Sequence, residues 1–201
     1  MPKPRNNTKP SARKNQLRII GGQWRGRKLA VADVEGLRPT GDRIRETVFN
    51  WLMGVVVDSR CLDLFAGSGA LGLECLSRGA KEVTFVEKHP SAAKQLQQNC
   101  QNLEASNSHI ITSDTLSWLN TQRHPVIGYD LVFIDPPFGA NLWGESITLI
   151  DRHELLNNGA FIYLESPKNT LVATPPQWQL QKKKQSGQVC YRLFQYVGST
   201  T

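Results

Sequence analysis

A doubly wound α/β fold is predicted by three features of this 201-residue chain. Short apolar runs alternate with amphipathic stretches from Arg60 to Glu165, a glycine-rich turn follows the first of these runs, and two extended segments close the chain. Strands that alternate with helices pair in parallel through right-handed crossovers, so helices cover both faces of one open sheet. The expected sheet is mostly parallel and seven-stranded, ending in an antiparallel hairpin.

Each element has its own signal. Residues 1–15 are rich in Pro, Asn, Lys, Arg and Ser and bury too little to fold alone, so a disordered basic tail is expected. Leu17–Gly22 and Arg27–Val31 flank Gln23-Trp24-Arg25-Gly26 and predict a small β-hairpin. Residues 16–34 then form an extension, and 35–201 the main domain. Ile44, Val48 and Leu52, with Phe49 and Met53 alongside, mark one face of a helix over 42–53, where Thr40 and Asp42 suit its start. Cys61–Phe65 predicts the first strand of the sheet and Ala70–Arg78 its helix. Val83–Glu87 is a second strand, followed by a helix from Ser91 to about Leu103. Ile110–Ser113 and Thr115–Leu119 repeat the rhythm more briefly. Leu131–Ile134 is a fourth strand, Gly144–Leu156 a helix and Ala160–Glu165 a fifth strand. Trp178–Lys184 and Val189–Val197, joined by Gln185-Ser186-Gly187-Gln188, predict the closing hairpin.

Composition bounds the class. The length suits one domain with a substantial core, and no apolar run approaches a membrane span. No secretory signal is visible behind the polar N-terminus, so a cytoplasmic protein is expected. Cys61, Cys75, Cys100 and Cys190 are scattered without a Cys-x-x-Cys pair, which argues against a zinc site or a disulfide framework. The net charge of +7 is uneven. Residues 1–50 hold twelve Lys/Arg and four Asp/Glu, whereas the rest hold twelve and thirteen. Positive charge gathered in one quarter of the chain suits a polyanion.

The turn after the first strand reads Asp63-Leu64-Phe65-Ala66-Gly67-Ser68-Gly69-Ala70-Leu71-Gly72. Gly67, Gly69 and Gly72 have the Gly-x-Gly-x-x-Gly spacing between a strand and a helix, which fits an adenosine-containing cofactor. Glu87 ends the second strand, where a carboxylate can accept both ribose hydroxyls; this suits NAD equally well. Asp114 follows the third strand and either accepts from an adenine amine or caps the next helix. Asp63 would repel a pyrophosphate but suits a zwitterionic amino-acid tail or a sulfonium, which favours S-adenosylmethionine over NAD. Asp135-Pro136-Pro137-Phe138 follows the fourth strand. Two prolines stiffen this loop and leave the Pro136 carbonyl as an acceptor beside a carboxylate and an aromatic face. Such a notch can hold a planar ring bearing an amino group.

Together these motifs resemble class I S-adenosylmethionine-dependent methyltransferases of exocyclic amines. Arg38-Pro39-Thr40-Gly41-Asp42-Arg43-Ile44-Arg45-Glu46, with Arg18-Ile19-Ile20-Gly21-Gly22 upstream, narrows the resemblance to the RsmD family. The likeness runs from about Leu17 to Tyr196. It implies a Rossmann-like domain that methylates N2 of one guanine in 16S ribosomal RNA, of the guanine-966 type, within a small-subunit particle. It also implies that Asp63, Phe65, Ala66, Gly67, Gly69, Glu87, Asp114 and Thr115 bind S-adenosylmethionine, and that Asp135, Pro136, Pro137 and Phe138 act on the base. Arg18, Arg25, Arg27, Lys28, Arg43 and Arg45 are expected to hold phosphates. Trp24 either stacks on an unpaired base or packs the hairpin. A monomer without a metal is expected.

Other chemistries fit less well. Pyrimidine C5 methylation needs a thiolate near the fourth strand, and no cysteine lies there. Ribose methylation commonly needs a lysine-based cluster, which the Asp-Pro-Pro-Phe loop does not offer. Adenine-N6 methylation of DNA or RNA needs the same acceptors and is the nearest rival. An NAD-dependent oxidoreductase would need a catalytic His or a Lys/Tyr pair, but His89, His109, His124 and His153 do not cluster. A non-enzymatic RNA binder would not need four carboxylates at strand ends.

Overall fold

Residues 16–34, 41–123, 125 and 127–198 are described by a computed structural model. The tail over 1–15 and Arg38-Pro39-Thr40 lie outside them. Nine strands and five α-helices occur among the described residues: β1 (Gln16–Arg18), β2 (Lys28–Ala30), α1 (Asp42–Trp51), β3 (Arg60–Asp63), α2 (Ala70–Ser77), β4 (Glu82–Glu87), α3 (Pro90–Asn102), β5 (Ser108–Thr112), α4 (Thr115–Thr121), β6 (Tyr129–Ile134), α5 (Trp143–Arg152), β7 (Leu156–Pro167), β8 (Trp178–Ser186) and β9 (Val189–Tyr196).

The main sheet has the order β5-β4-β3-β6-β7-β9-β8. Pairing is parallel from β5 through β7 and antiparallel for β9 against both β7 and β8. Alternate side chains feed two cores, as strand geometry requires. Cys61, Phe85, Phe133 and Tyr163 pack with α1, α2 and α3 on one face. Leu62, Val132, Ile134 and Leu164 pack with α5 on the other. Gly72 lets α2 approach the sheet, because a Cβ there would meet the Phe85 ring and come within 2.9 Å of Val83.

Three boundaries moved: the ribbon strand expected over Leu17–Gly22 ends at Arg18, the strand expected from Ala160 begins at Leu156, and one helix ends early. The helix expected over 144–156 stops at Arg152, because Glu154 takes a left-handed φ of 48° and turns the chain into β7. That strand begins at Leu156 and passes a register shift opposite Tyr129–Leu131.

The N-terminal ribbon is antiparallel, with Leu17 opposite Leu29 and both buried. Its tip is fastened to the last turn of α2: Gln23 and Trp24 donate their N–H groups to the Ser77 carbonyl (2.7 Å) and Oγ (3.0 Å). The Ser77 hydroxyl donates to the Gly21 carbonyl at 2.6 Å. Helices in parallel α/β units run back toward the start of the strands, so the tip lies at the amino-terminal edge of the sheet.

A buried carboxylate joins the ribbon to the domain. Glu74 is fully buried and accepts from the Ile20 N–H (2.9 Å) and from Arg78 Nε (2.8 Å). Arg45, 1% exposed, faces it at 3.9 Å and donates to Asp42 (2.5 Å) and the Arg18 carbonyl (2.9 Å). Removing one member of a buried ionic set leaves the others uncompensated. Glu74→Ala is therefore expected to lower stability by about 3–5 kcal/mol in urea unfolding, far beyond a surface substitution.

Candidate active site

The site starts at the end of β3. Two glycines allow the turn that follows, Gly67 at φ 53° and Gly69 at φ 77°. A Cβ on Gly69 would also press on Leu96 and Leu73. Glu87, at the end of β4, braces this turn. Its Oε2 accepts from the Gly67 N–H at 2.7 Å and its Oε1 from the His89 N–H at 2.8 Å. Asp63 lies buried beneath, its Oδ2 accepting from the Gly72 N–H at 3.1 Å in the first turn of α2. Burial pushes the Asp63 carboxyl up to about 7; the Gly72 amide opposes this, the Glu87 charge adds to it, and the Phe65 amide opposes. Two buried carboxylates beside a glycine turn offer a strong field for a cation and a poor one for a pyrophosphate. Phe65 and Ala66 continue the turn, with the Ala66 N–H on the Val86 carbonyl at 3.0 Å.

Asp114 caps α4 through Oδ1, which accepts from the Ser117 N–H at 3.0 Å. The capping role is therefore present. The Thr115 hydroxyl is buried and donates to the Leu64 carbonyl at 2.6 Å, tying the start of α4 to the glycine turn.

Asp135 follows β6 directly and is half-buried, with Pro136 buried beside it. The Pro137 carbonyl accepts from the Ala140 N–H at 2.9 Å and closes a 3₁₀ turn over Phe138–Ala140. Among the described residues no donor reaches the Pro136 carbonyl. Phe138 is 40% exposed and stands 6.3 Å, ring to ring, from the buried Trp143. Parallel pairing brings Asp63, Glu87 and Asp135 to one carboxyl-terminal edge, where open α/β sheets bind ligands.

Three residues behind this loop carry no motif and escaped the sequence reading. Trp143 Nε1 donates to the Glu165 carbonyl at 2.7 Å, and the Tyr163 hydroxyl donates to Glu165 Oε2 at 2.6 Å. Glu165 is buried, which pushes its carboxyl up, while the Tyr163 hydrogen bond opposes. The only signal was a Glu ending an apolar strand one row beyond the Ile134–Leu164 pair.

The basic residues divide. Arg18, Arg25, Arg27, Lys28 and Arg43 are exposed, and Arg18 lies 3.8 Å from Asp42. Arg27 donates to the Asn102 carbonyl at 3.2 Å, at the end of α3. Arg25 and Arg27 therefore stand at the edge opposite Asp135. Arg45 corrects the expectation of a phosphate contact: its guanidinium is buried against Asp42 and Glu74 and cannot reach a polyanion without dismantling that set.

The family described as "Conserved hypothetical protein 95" matches residues 17–195. Ribosomal RNA small subunit methyltransferase D of Escherichia coli K12 is 50% identical over 181 residues, which cover 90% of each chain. The Haemophilus influenzae protein of the same name is 49% identical over 185 residues, 90% of this chain and 95% of that one. A solved Escherichia coli chain, the candidate methyltransferase yhhF, superposes with a TM-score of 0.84 at 47% identity, covering 91% of this chain and 99% of its own.

The raised Asp63 carboxyl makes stability depend on pH. The folded state holds this proton between about pH 4 and 7 while the unfolded chain has released it, so stability falls as pH rises through that window. The contribution amounts to about 4 kcal/mol across the full window. Asp63→Asn is expected to flatten the stability profile between pH 4 and 7, as read by urea unfolding at stepped pH.

Proposed function

The chain belongs to the ribosomal RNA small subunit methyltransferase D (RsmD) family, and from that premise we propose that it transfers a methyl group from S-adenosylmethionine to the exocyclic N2 of guanine 966 in 16S ribosomal RNA. The observation that carries the reading is the shared edge: two buried carboxylates at the glycine turn, and a third beside a proline-stiffened acceptor loop. S-adenosylmethionine supplies an electrophilic methyl on a sulfonium, and the sulfur leaves as a neutral thioether.

The residues fit that donor. Gly67 and Gly69, both at positive φ, give the turn the course that brings its backbone to the strand ends. Glu87 accepts one amide on each oxygen and keeps further lone pairs for two ribose hydroxyls. Asp63 faces a cationic amino-acid end. Asp114 uses Oδ1 for its cap and keeps Oδ2 for an adenine amine.

The acceptor's lone pair is delocalised into the ring, which makes the amine a weak nucleophile. Asp135 and the Pro136 carbonyl accept its two N–H groups and turn the lone pair toward the methyl carbon. Phe138 stacks on the base after it leaves its own stack. A new C–N bond forms as the C–S bond breaks, and the amine's surplus proton departs to Asp135 or to water. Positioning supplies most of the rate, because in-line displacement needs aligned partners more than a strong base.

The direct test is labelled methyl transfer from S-adenosylmethionine to undermethylated 16S ribosomal RNA or small-subunit particles, followed by nucleoside analysis. N2-methylguanosine is expected. N6-methyladenosine, or no incorporation into either substrate, would overturn the reading. Asp135→Ala should lower turnover by about 100-fold or more, with donor affinity held within about twofold. Because a cation needs the ionised Asp63, donor binding should tighten as pH rises toward and through about 7 and then level off; calorimetry with Asp63→Asn should show no such dependence.

A further inference from the structure

Among the described residues, the end of the chain brings positive charge level with Asp135. Residues 166–201 contain Lys168, Lys182, Lys183, Lys184 and Arg192 and no Asp or Glu, a bias hidden in the near-neutral balance of the rest. Strand register fixes where these cations stand. Ile134 pairs with Leu164, so Asp135 lies in the row of Glu165; Glu165 pairs with Tyr191, and Tyr191 with Lys184. The β8–β9 turn rises past this row, with Ser186 and Pro167 both opposite Val189 and the Lys168 N–H on the Gln188 carbonyl at 2.8 Å. Lys184 is three strand spacings from the Asp135 strand, roughly 14 Å.

A register shift between Leu180 and Lys182 sets the faces of this edge strand. Lys182 and Lys184 fall opposite Leu193 and Tyr191, which pack on the α1 side of the sheet; Lys183 falls opposite Arg192 on the other side. All three lysines are exposed, and none forms an ion pair among the described residues. Arg192 donates to Ser166 Oγ at 2.9 Å, which holds its guanidinium at the sheet edge. The tip of the N-terminal ribbon, by contrast, is bound at the far edge.

We propose that Lys182, Lys183 and Lys184, with Lys168 and Arg192, form the surface that grips RNA phosphates flanking the target nucleotide. This rests on the RNA-methylating function above and assigns its substrate surface. Positive charge on both sides of one bare strand, level with Asp135, complements a phosphodiester chain that delivers a base into the loop. Lysines also keep an edge strand from pairing with other chains, and that simpler role makes a different prediction.

The test compares the parent with Lys182→Gln/Lys183→Gln/Lys184→Gln, and with Lys183→Gln/Arg192→Gln as a second variant should the first fail to fold. Binding of a 16S ribosomal RNA transcript and of undermethylated small-subunit particles is measured at several salt concentrations, alongside methyl-transfer kinetics. The triple variant should bind at least tenfold more weakly, with the slope of log K against log salt smaller by about 2–3. KM for RNA should rise while kcat at saturating RNA and donor affinity stay the same. A folded variant with the parent's salt slope and KM would overturn the proposal. Self-association with unchanged RNA binding would overturn it as well, leaving the lysines as guards of the edge. If the parent itself bound no ribosomal RNA, the underlying function would fall and the surface with it.

Discussion

Parallel pairing of β3 with β4 on one side and β6 on the other brings Asp63, Glu87 and Asp135 to one edge. Asp63 stands level with Phe85 and with Phe133, so the carboxylates that follow these strands arrive at one edge within a few residues of one another. The register has no freedom to drift. Cys61, Leu62, Val132 and Phe133 are buried on alternating faces, and a slip of one residue would turn each toward the wrong core. The same slip would carry Asp63 away from the Gly72 amide and Asp135 away from the row of Glu165. Packing therefore sets the chemistry, without a dedicated element to hold it.

Two buried acids in this chain meet their desolvation in opposite ways. Glu74 is surrounded by cations and a backbone amide, and it fastens the N-terminal ribbon to α2. Asp63 has amides and a neighbouring carboxylate instead, so its ionisation is deferred to about neutral pH. An acid fully compensated by protein groups has little to offer a ligand. One left short of positive charge is a natural receptor for a cation, at some expense in stability. On the proposed reading, the distinction separates a structural acid from a ligand-binding one, although both are buried.

The sheet was largely legible because its strands are apolar runs ended by carboxylates and its turns carry glycine or proline. Cys61 to Asp63 and Leu131 to Ile134 admit few other readings. The end of α5 was not legible, since apolar spacing continues past Arg152 and only the left-handed Glu154 breaks it. Arg45 was misassigned because a basic residue in a basic segment gives no hint that Glu74, 29 positions on in the sequence, lies beside it. Glu165 and Tyr163 belong to the site only through pairing between strands. The lysines of β8 carry no motif in the predicted hairpin, and only β9, returning antiparallel to β7, places them level with Asp135.

The central claim is that the proline-stiffened loop after β6 and the glycine turn after β3 face one reaction centre. A crystal structure with S-adenosylmethionine bound tests this most directly. The methyl carbon should lie on the open side of the sulfonium toward Asp135 and the Pro136 carbonyl, with the ribose on Glu87 and the amino-acid end near Asp63. A donor bound elsewhere, or one whose methyl points away from Asp135, would contradict it.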